Sequence, residues 1–500
     1  MATVIRTLTC VLLSVVAGCA VGPDFKRPAS PAATGYVAGS LPDKTTSAPG
    51  VGGSEQAFAP GAQIQAQWWT LFHSEDLNRL IELSLKDSPT LAAAQANLRQ
   101  AQQNLIADRD SLLWPAATAN AGATRQRLSP EAQGIPPQLA SQTLLTVYNA
   151  SVNVSYAPDI FGAARRHIEG VRAARDVQQN ELQASYLTLT ANVVTTAVHE
   201  ALLRGQLEAT RDMVDADEKE LALTQRQVQI GAVARSVMLA LQTQVKQTRA
   251  TIPPLELALA QSRHRLAVLC GKLPNSTDLP QFTLASFQLP PELPVSLPSD
   301  LVHQRPDILV AEAQLHQASA AVGVATANMY PQLSISASYG FESLTTGTLF
   351  SNGAKVWSVG GSLLQPLFLG GQLAAQRRAA VAAYDSSAAQ YRETVLQAFE
   401  NVADTLRALE LDAATLAAQA DAESAAHENL DLSTRQFEVG AISHLGLLDA
   451  QRSYAEARIS LIAAQAARFS DTAALYQAMG GGWWNATTAG ATPANAPRNE

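Results

Sequence analysis

The chain has 500 residues, a length that ordinarily divides into roughly three domains. Apolar residues make up 47%, charged residues only 16% and aromatics 6%, with a formal net charge of −8. That balance excludes a disordered chain, which combines low hydrophobicity with high net charge, and a strongly basic nucleic-acid binder. Beyond the N-terminus no run of about 18 uninterrupted apolar residues appears, which excludes a polytopic helical membrane protein. The missing charge is replaced by tracts of Ala, Gln, Ser and Thr, a composition that favours long helices in close backbone contact.

Residues 1–18 read as an export signal: Arg6 is a thin positive region and Cys10 to Val16 an apolar stretch too short to span a bilayer. Val16-Ala17-Gly18-Cys19 follows and resembles a bacterial lipobox, which makes Cys19 the acylated first residue of the mature chain. The alternative is an ordinary signal peptide cut near Ala17 or Ala20. Ala20, in place of an Asp, implies sorting to the outer membrane on the same resemblance. Cys10 leaves with the signal, so Cys270 stands alone as a candidate buried small hydrophobe, and no disulfide is expected. Residues 28–62, rich in Pro, Gly, Ser and Thr, read as a tether or a surface strap.

The remainder is a duplication. Arg226-Gln227-Val228-Gln229-Ile230-Gly231-Ala232 recurs as Arg435-Gln436-Phe437-Glu438-Val439-Gly440-Ala441, and at the same offset Gln242 matches Gln451 and Gly271 matches Gly480. Upstream, Pro158 and Gly162 match Pro366 and Gly370, and Trp114-Pro115 matches Tyr330-Pro331. The drift between these offsets places an insertion near 126–148 of the first half. Each half predicts a helix opened at Pro89 or Pro306 and stopped at Pro115 or Pro331. Two strands follow. Then comes a Pro-free helix over about 163–229 or 372–438, a rod of roughly 100 Å at 1.5 Å per residue. A glycine breaks each rod, and a return helix follows near 236–270 or 444–479. Pro253-Pro254 interrupts the first return helix, where the second has Ile462-Ala463. The predicted division is 1–18 signal, 19–62 lipidated tether, 63–272 first repeat, 273–296 linker, 297–484 second repeat and 485–500 tail.

The strands alternate. Val152, Val154 and Tyr156 fall on one face and Ser151, Asn153 and Ser155 on the other; Leu333, Ile335, Ala337, Tyr339 and Phe341 form a second apolar row. The pattern suits a barrel strand with one face to lipid and one to water, and equally a half-buried soluble sheet. Four strands per chain leave edges that must be paired in lipid, so a barrel requires further copies; three would supply twelve strands.

Several ordered motifs carry a family resemblance. They are Cys19-Ala20-Val21-Gly22-Pro23-Asp24-Phe25-Lys26-Arg27-Pro28, Trp68-Trp69-Thr70-Leu71-Phe72, Asp159-Ile160-Phe161-Gly162, Arg305-Pro306-Asp307-Ile308, Gln365-Pro366-Leu367-Phe368-Leu369-Gly370-Gly371 and Asp449-Ala450-Gln451-Arg452. Together they resemble the outer membrane factor (TolC-like) family, in the lipoprotein branch that serves resistance-nodulation-division pumps. The resemblance implies a mainly α fold with a small β part: a homotrimeric helical tunnel of long coiled-coil helices topped by a twelve-stranded transmembrane β-barrel. It implies a passive efflux duct in the outer membrane, its tunnel in the periplasm, coupled to a periplasmic adaptor (membrane fusion) protein and an inner-membrane pump. No cofactor is implied beyond the lipid on Cys19.

Carried over residue by residue, the periplasmic aperture falls on Leu445 and Asp449, a dewetting ring and an acidic ring. Their four-residue spacing places them on one helix face. For Asp449 a solvated helix-start carboxylate is the competing reading. Gly446 stands where the family's type member has a second acid, and Ile442 where it has an Arg, so the acidic ring is single. Gly231, Ala232, Gly440 and Ala441 resemble the grooves that receive adaptor tips, with simple helix termination as the alternative. The eight His residues show no ligand spacing, no metal site is expected, and no HExxH, P-loop or GxSxG occurs. The chain is therefore not expected to be an enzyme. A type I secretion duct is a second transport reading. A periplasmic coiled-coil adaptor or structural lipoprotein is a reading of a different class.

Overall fold

The computed structural model describes residues 20–33, 35–127 and 144–485. The signal, Cys19, the middle of the 126–148 insertion and all but the first residue of the 485–500 tail lie outside the described residues. In chain order the elements are β1 (Ala57–Pro60), α1 (Glu75–Asp87), α2 (Pro89–Leu113), β2 (Ala116–Arg127), β3 (Leu144–Tyr156), α3 (Ala163–Gln229), α4 (Arg235–Ala250), α5 (Ile252–Leu269), β4 (Glu292–Val295), α6 (Pro298–Gln304), α7 (Pro306–Ala327), β5 (Gln332–Ser343), β6 (Lys355–Leu364), α8 (Gln372–Glu438) and α9 (His444–Ala478). The series helix–strand–strand–long helix thus occurs twice. Both long helices run 67 residues without a break, because neither contains a proline and both are built from good helix formers.

The chain forms two compact units, each drawn from separated stretches of sequence. One comprises residues up to Pro28, Asn97–Gln178 and Ala311–Tyr391. It holds a four-stranded antiparallel sheet in the order β2-β3-β5-β6. Register settles which side chains share a face, because paired residues point the same way. Ala119 pairs with Val152, Val152 with Tyr339, and Tyr339 with Trp357, so one rung is apolar across all four strands. The next rung, Thr118–Asn153–Ser338–Ser358, is polar across all four. Charges sit toward the ends of the strands, at Arg125, Arg127, Glu342 and Lys355. The hairpin of the first half is longer than expected: β3 begins at Leu144, and with 13 residues it exceeds the 10 of β6. Part of the insertion therefore extends the strands instead of forming loop.

In the same unit, residues 20–28 lie along α3 and α7. Gly22, at φ +105°, passes so close to Gly323 that a Cβ on it would lie 2.6 Å from the Gly323 Cα. Arg166, 6% exposed at its side chain, bonds Asp24 at 2.6 Å and Glu169 at 2.7 Å. Phe25 stacks on His316 with ring centroids 4.3 Å apart.

The other unit comprises Ala29–Ala96, Gln179–Val310 and residues from Arg392 onward. Its core gathers Trp68, Phe72, Leu77, Val193, Val194, Leu406, Phe469 and Tyr476, all nearly or fully buried. Trp68 stacks on Tyr476 at 5.3 Å. Cys270 is fully buried against Ser84 Oγ at 3.1 Å, as expected of a small hydrophobe. The Pro/Gly-rich stretch is not wholly irregular: β1 pairs in parallel with β4 of the linker. Short, Pro-containing segments of this kind give no alternation from which a strand is legible.

Candidate functional site

The two long helices end alike. The Gly231 N–H donates to Val228 O at 3.1 Å and the Ala232 N–H to Gln227 O at 2.8 Å; the Gly440 and Ala441 N–H groups donate to Phe437 O at 2.9 Å and Gln436 O at 2.8 Å. These are paired Schellman closures, and φ of +78° and +76° explains why glycine stands at each. Nothing lies within 4 Å of a Cβ added at either glycine. Ala232 and Ala441 are exposed beside them, and Ile230 and Val439 are each 80% exposed. All four predicted docking residues therefore stand at open, partly apolar tips.

Helix α9 starts at the second tip. The Ser443 Oγ accepts from the Gly446 N–H at 3.3 Å and caps it. Leu445 is 71% exposed, Asp449 one turn on is also exposed, and both lie on one face. The structure thus brings Leu445 and Asp449 together and leaves them without a protein partner on that face of the chain.

The opposite face carries buried polar groups besides the residues carried over from the resemblance. His444 is buried, its Nδ1 3.4 Å from Glu220 Oε1 and its ring 5.2 Å from Phe437. Burial holds His444 below its ordinary pKa, and Glu220 pulls the other way. Asp217, 3% exposed on α3, is pushed up to about 6, first by burial and then by Glu220. Asp217 Oδ2, Thr224 Oγ1, His444 Nε2 and Gln451 Oε1 are buried without a hydrogen-bond partner. In sequence these residues sit in polar helical tracts that look like a solvated face; only the packing of α3 against α9 reveals them. Among the described residues no cluster of three or more His, Cys, Asp or Glu could hold a metal, and no helix is long and apolar enough to cross a membrane.

Comparison with known proteins follows the same lines. The chain matches the outer membrane efflux protein family over residues 80–272 and 297–481. It is 29% identical to the probable efflux pump outer membrane protein TtgC of Pseudomonas putida, over 95% of this chain and 94% of that protein. It is also 29% identical to the pyoverdine export outer membrane protein OpmQ of Pseudomonas aeruginosa, over 83% and 87%. Among solved structures it resembles the outer-membrane channel OprN, with TM-score 0.81 and 26% identity, covering 93% of this chain and 100% of that one. The open state of the Neisseria gonorrhoeae MtrE channel gives TM-score 0.76 and 26% identity, over 93% and 99%.

Proposed function

Because the chain belongs to the outer membrane efflux protein family, and is an outer-membrane efflux channel of the helical-tunnel and β-barrel type, we propose that it works as a homotrimer anchored by a lipid on Cys19. The family is one of ducts, not of enzymes. In our reading the two repeats, 63–272 and 297–484, each supply one strand pair and one long helical hairpin to the trimer, with 19–62 as the acylated strap. A periplasmic adaptor docks at the Gly231-Ala232 and Gly440-Ala441 tips, and an inner-membrane resistance-nodulation-division pump supplies energy and selects substrate. Leu445 and Asp449 of three copies narrow the periplasmic opening.

The observation that carries this reading is the sheet. It has an apolar face and a polar face, and it ends at β2 and β6, which pair with no further strand among the described residues. In hydrocarbon an unpaired strand edge costs several kcal/mol per backbone group, so β6 of one copy must meet β2 of the next. The test is made on the full chain purified in mild detergent. Unheated samples should run as trimers and form ion-conducting pores in planar bilayers; a non-conducting monomer refutes the proposal. Gly440→Trp should then abolish cross-linking to the adaptor while the trimer survives, and retained cross-linking refutes the docking role.

A further inference from the structure

The register of the four-stranded sheet sorts its charges by face. Paired residues point the same way, and successive residues of a strand alternate. Counted from the apolar rung Ala119–Val152–Tyr339–Trp357, Arg125 and Arg127 of β2 and Lys355 of β6 fall on the apolar face, and Glu342 of β5 falls on the polar one. All three cations are exposed. Glu342 is the only acid in the described strands of this sheet, so no strand residue on the apolar face neutralises them. The strand ends beside the helices fix how high they stand. Ala116, where β2 begins, pairs through Ser155 and Ser336 to Gly360, four residues short of Leu364, where β6 ends. Four residues over three strand spacings is a tilt of roughly 40°, that of a barrel strand. Arg125 stands nine residues from Ala116, and Lys355 nine from Leu364, so the two reach one level and Arg127 lies just beyond. Nine residues at about 3.3 Å each and that tilt rise roughly 23 Å, close to the ~25 Å height of an outer-membrane apolar band. Just inside that level Tyr339 is 54% exposed and Trp357 74% exposed, where an aromatic girdle belongs.

We propose that Arg125, Arg127 and Lys355 form a binding surface for the phosphate groups of a lipid in the outer leaflet of the outer membrane. A cation on the lipid-facing side of a barrel is costly at mid-bilayer and tolerated only near the interface, and here the three stand at the far interface together. The chemistry narrows the partner. Guanidinium forks match phosphate oxygens two at a time. A zwitterionic headgroup brings its own cation, and a neutral sugar brings no charge, so a headgroup with exposed phosphates answers this cluster best. A free phosphate ion meets the same forks but has no acyl chains to lie against Tyr339 and Trp357; the occupant is therefore a lipid. The share of Lys355 rests on the trimer proposed above. Where β6 meets β2 of the next copy, Lys355 comes beside Arg125 and Arg127 of the next copy at one level, so each junction carries three cations. A phosphorylated headgroup bound there bridges two copies and holds the seam of the barrel.

The test uses the full chain in mild detergent and reads the lipid retained per chain after gel filtration. Diphosphoryl lipid A is the probe, with dioleoyl phosphatidylcholine and inorganic phosphate as controls. Retention of lipid A by the wild type should saturate and should weaken at high salt, where screening is strongest. Its affinity should fall about fivefold for each cation removed, in Arg125→Gln, Arg127→Gln and Lys355→Gln. Glu342→Gln, on the other face, should bind as the wild type does. All four positions lie near the strand ends, and variants that migrate like the wild type on unheated gels are folded. Equal retention of phosphatidylcholine, displacement of lipid A by inorganic phosphate at equal concentration, or undiminished retention in the Arg125→Gln/Arg127→Gln double variant would each overturn the proposal. The surface and the trimer fail separately. A trimer that retains no lipid A refutes the surface alone. A monomer that retains it through Arg125 and Arg127, with Lys355→Gln without effect, refutes the trimer and leaves the headgroup surface in place.

Discussion

The two return helices occupy equivalent places in the repeat and are built differently. The first is split: α4 ends at Ala250, Thr251 intervenes, and α5 begins at Ile252 with Pro253 and Pro254 in its first turn. Its start, behind Ala234, has no side-chain cap. The second, α9, runs unbroken for 35 residues from a Ser443 cap. At equivalent positions Ser236 and Ala240 of the first face Leu445 and Asp449 of the second, and Leu259 faces Arg468. Duplication thus left two copies of one scaffold and placed an exposed acid and a buried arginine at positions of the second where the first has Ala240 and Leu259. The comparison teaches where precision is needed. The helix that carries the proposed constriction is continuous, capped and pinned into the core, while its counterpart is left segmented.

The largest effect is expected where that pinning is removed. Arg468 is 1% exposed. It donates to Leu409 O at 3.0 Å, Gln56 Oε1 at 2.9 Å and Thr45 Oγ1 at 3.2 Å, tying α9 to α8 and to the strap. Arg468→Leu installs the residue of the first repeat and removes all three donated bonds: Gln56 Oε1 is left buried without its donor, while Thr45 Oγ1 keeps the Gln56 N–H at 2.9 Å and Leu409 O keeps its place in the α8 helix. The expected cost is about 3–5 kcal/mol, read as a fall in thermal midpoint and in the urea concentration of half-unfolding. A loss below about 1 kcal/mol would mean that the strap is not held through this side chain.

A smaller effect is expected at the start of the helix. Ser443→Ala copies Ala234 and removes the bond to the Gly446 N–H. Losing such a cap costs about 1 kcal/mol. Hydrogen exchange should report it in the first turn of α9, with little change at α4. Equal change at both would show that the two starts do not differ in the way the caps suggest.

Much of this asymmetry was legible in the sequence, and some was not. The limits of α3, α8 and α9 follow from proline placement and from the Gly231 and Gly440 breaks, because a single proline or helix-ending glycine dominates local backbone energetics. The alternating strands were equally plain, although β3 extends into the insertion, where alternation weakens. The break at Pro253-Pro254 was expected and is present. What the sequence could not show depends on three-dimensional packing. Arg468 reads as one more charge on a long polar helix, and only the fold places it under the strap. Asp217 and Gln451 lie far apart in sequence, on helices whose mutual face is not encoded by a simple period. The β1–β4 pair joins two short segments of weak propensity, which tertiary context alone selects. For the tips the glycine signal marks the helix ends, while the exposure of Ile230 and Val439 beside them is a property of the fold alone.

The smallest predicted change concerns function. Asp449 is exposed, one turn beyond an exposed Leu445, on the only return helix of each chain that bears an acid at this position; Ala240 is its counterpart. In the proposed trimer the three Asp449 carboxylates would face one another across the opening, where like charges held close attract cations and bind them at the narrowest point. Asp449→Ala makes the two return helices alike at this one position, removes one charge per chain and removes side-chain bulk. Single-channel conductance in planar bilayers should rise, roughly twofold, and the preference for cations over anions should weaken, with both differences largest at low salt, where screening is least. Ala240→Asp serves as the converse. If position within the repeat alone sets the constriction, an acid there should restore cation preference to the Asp449→Ala channel. If the capped, unbroken α9 is what presents the ring to the axis, Ala240→Asp should leave conductance unaltered. Unchanged conductance and selectivity in Asp449→Ala would remove this residue from the aperture altogether and leave Leu445 to form it.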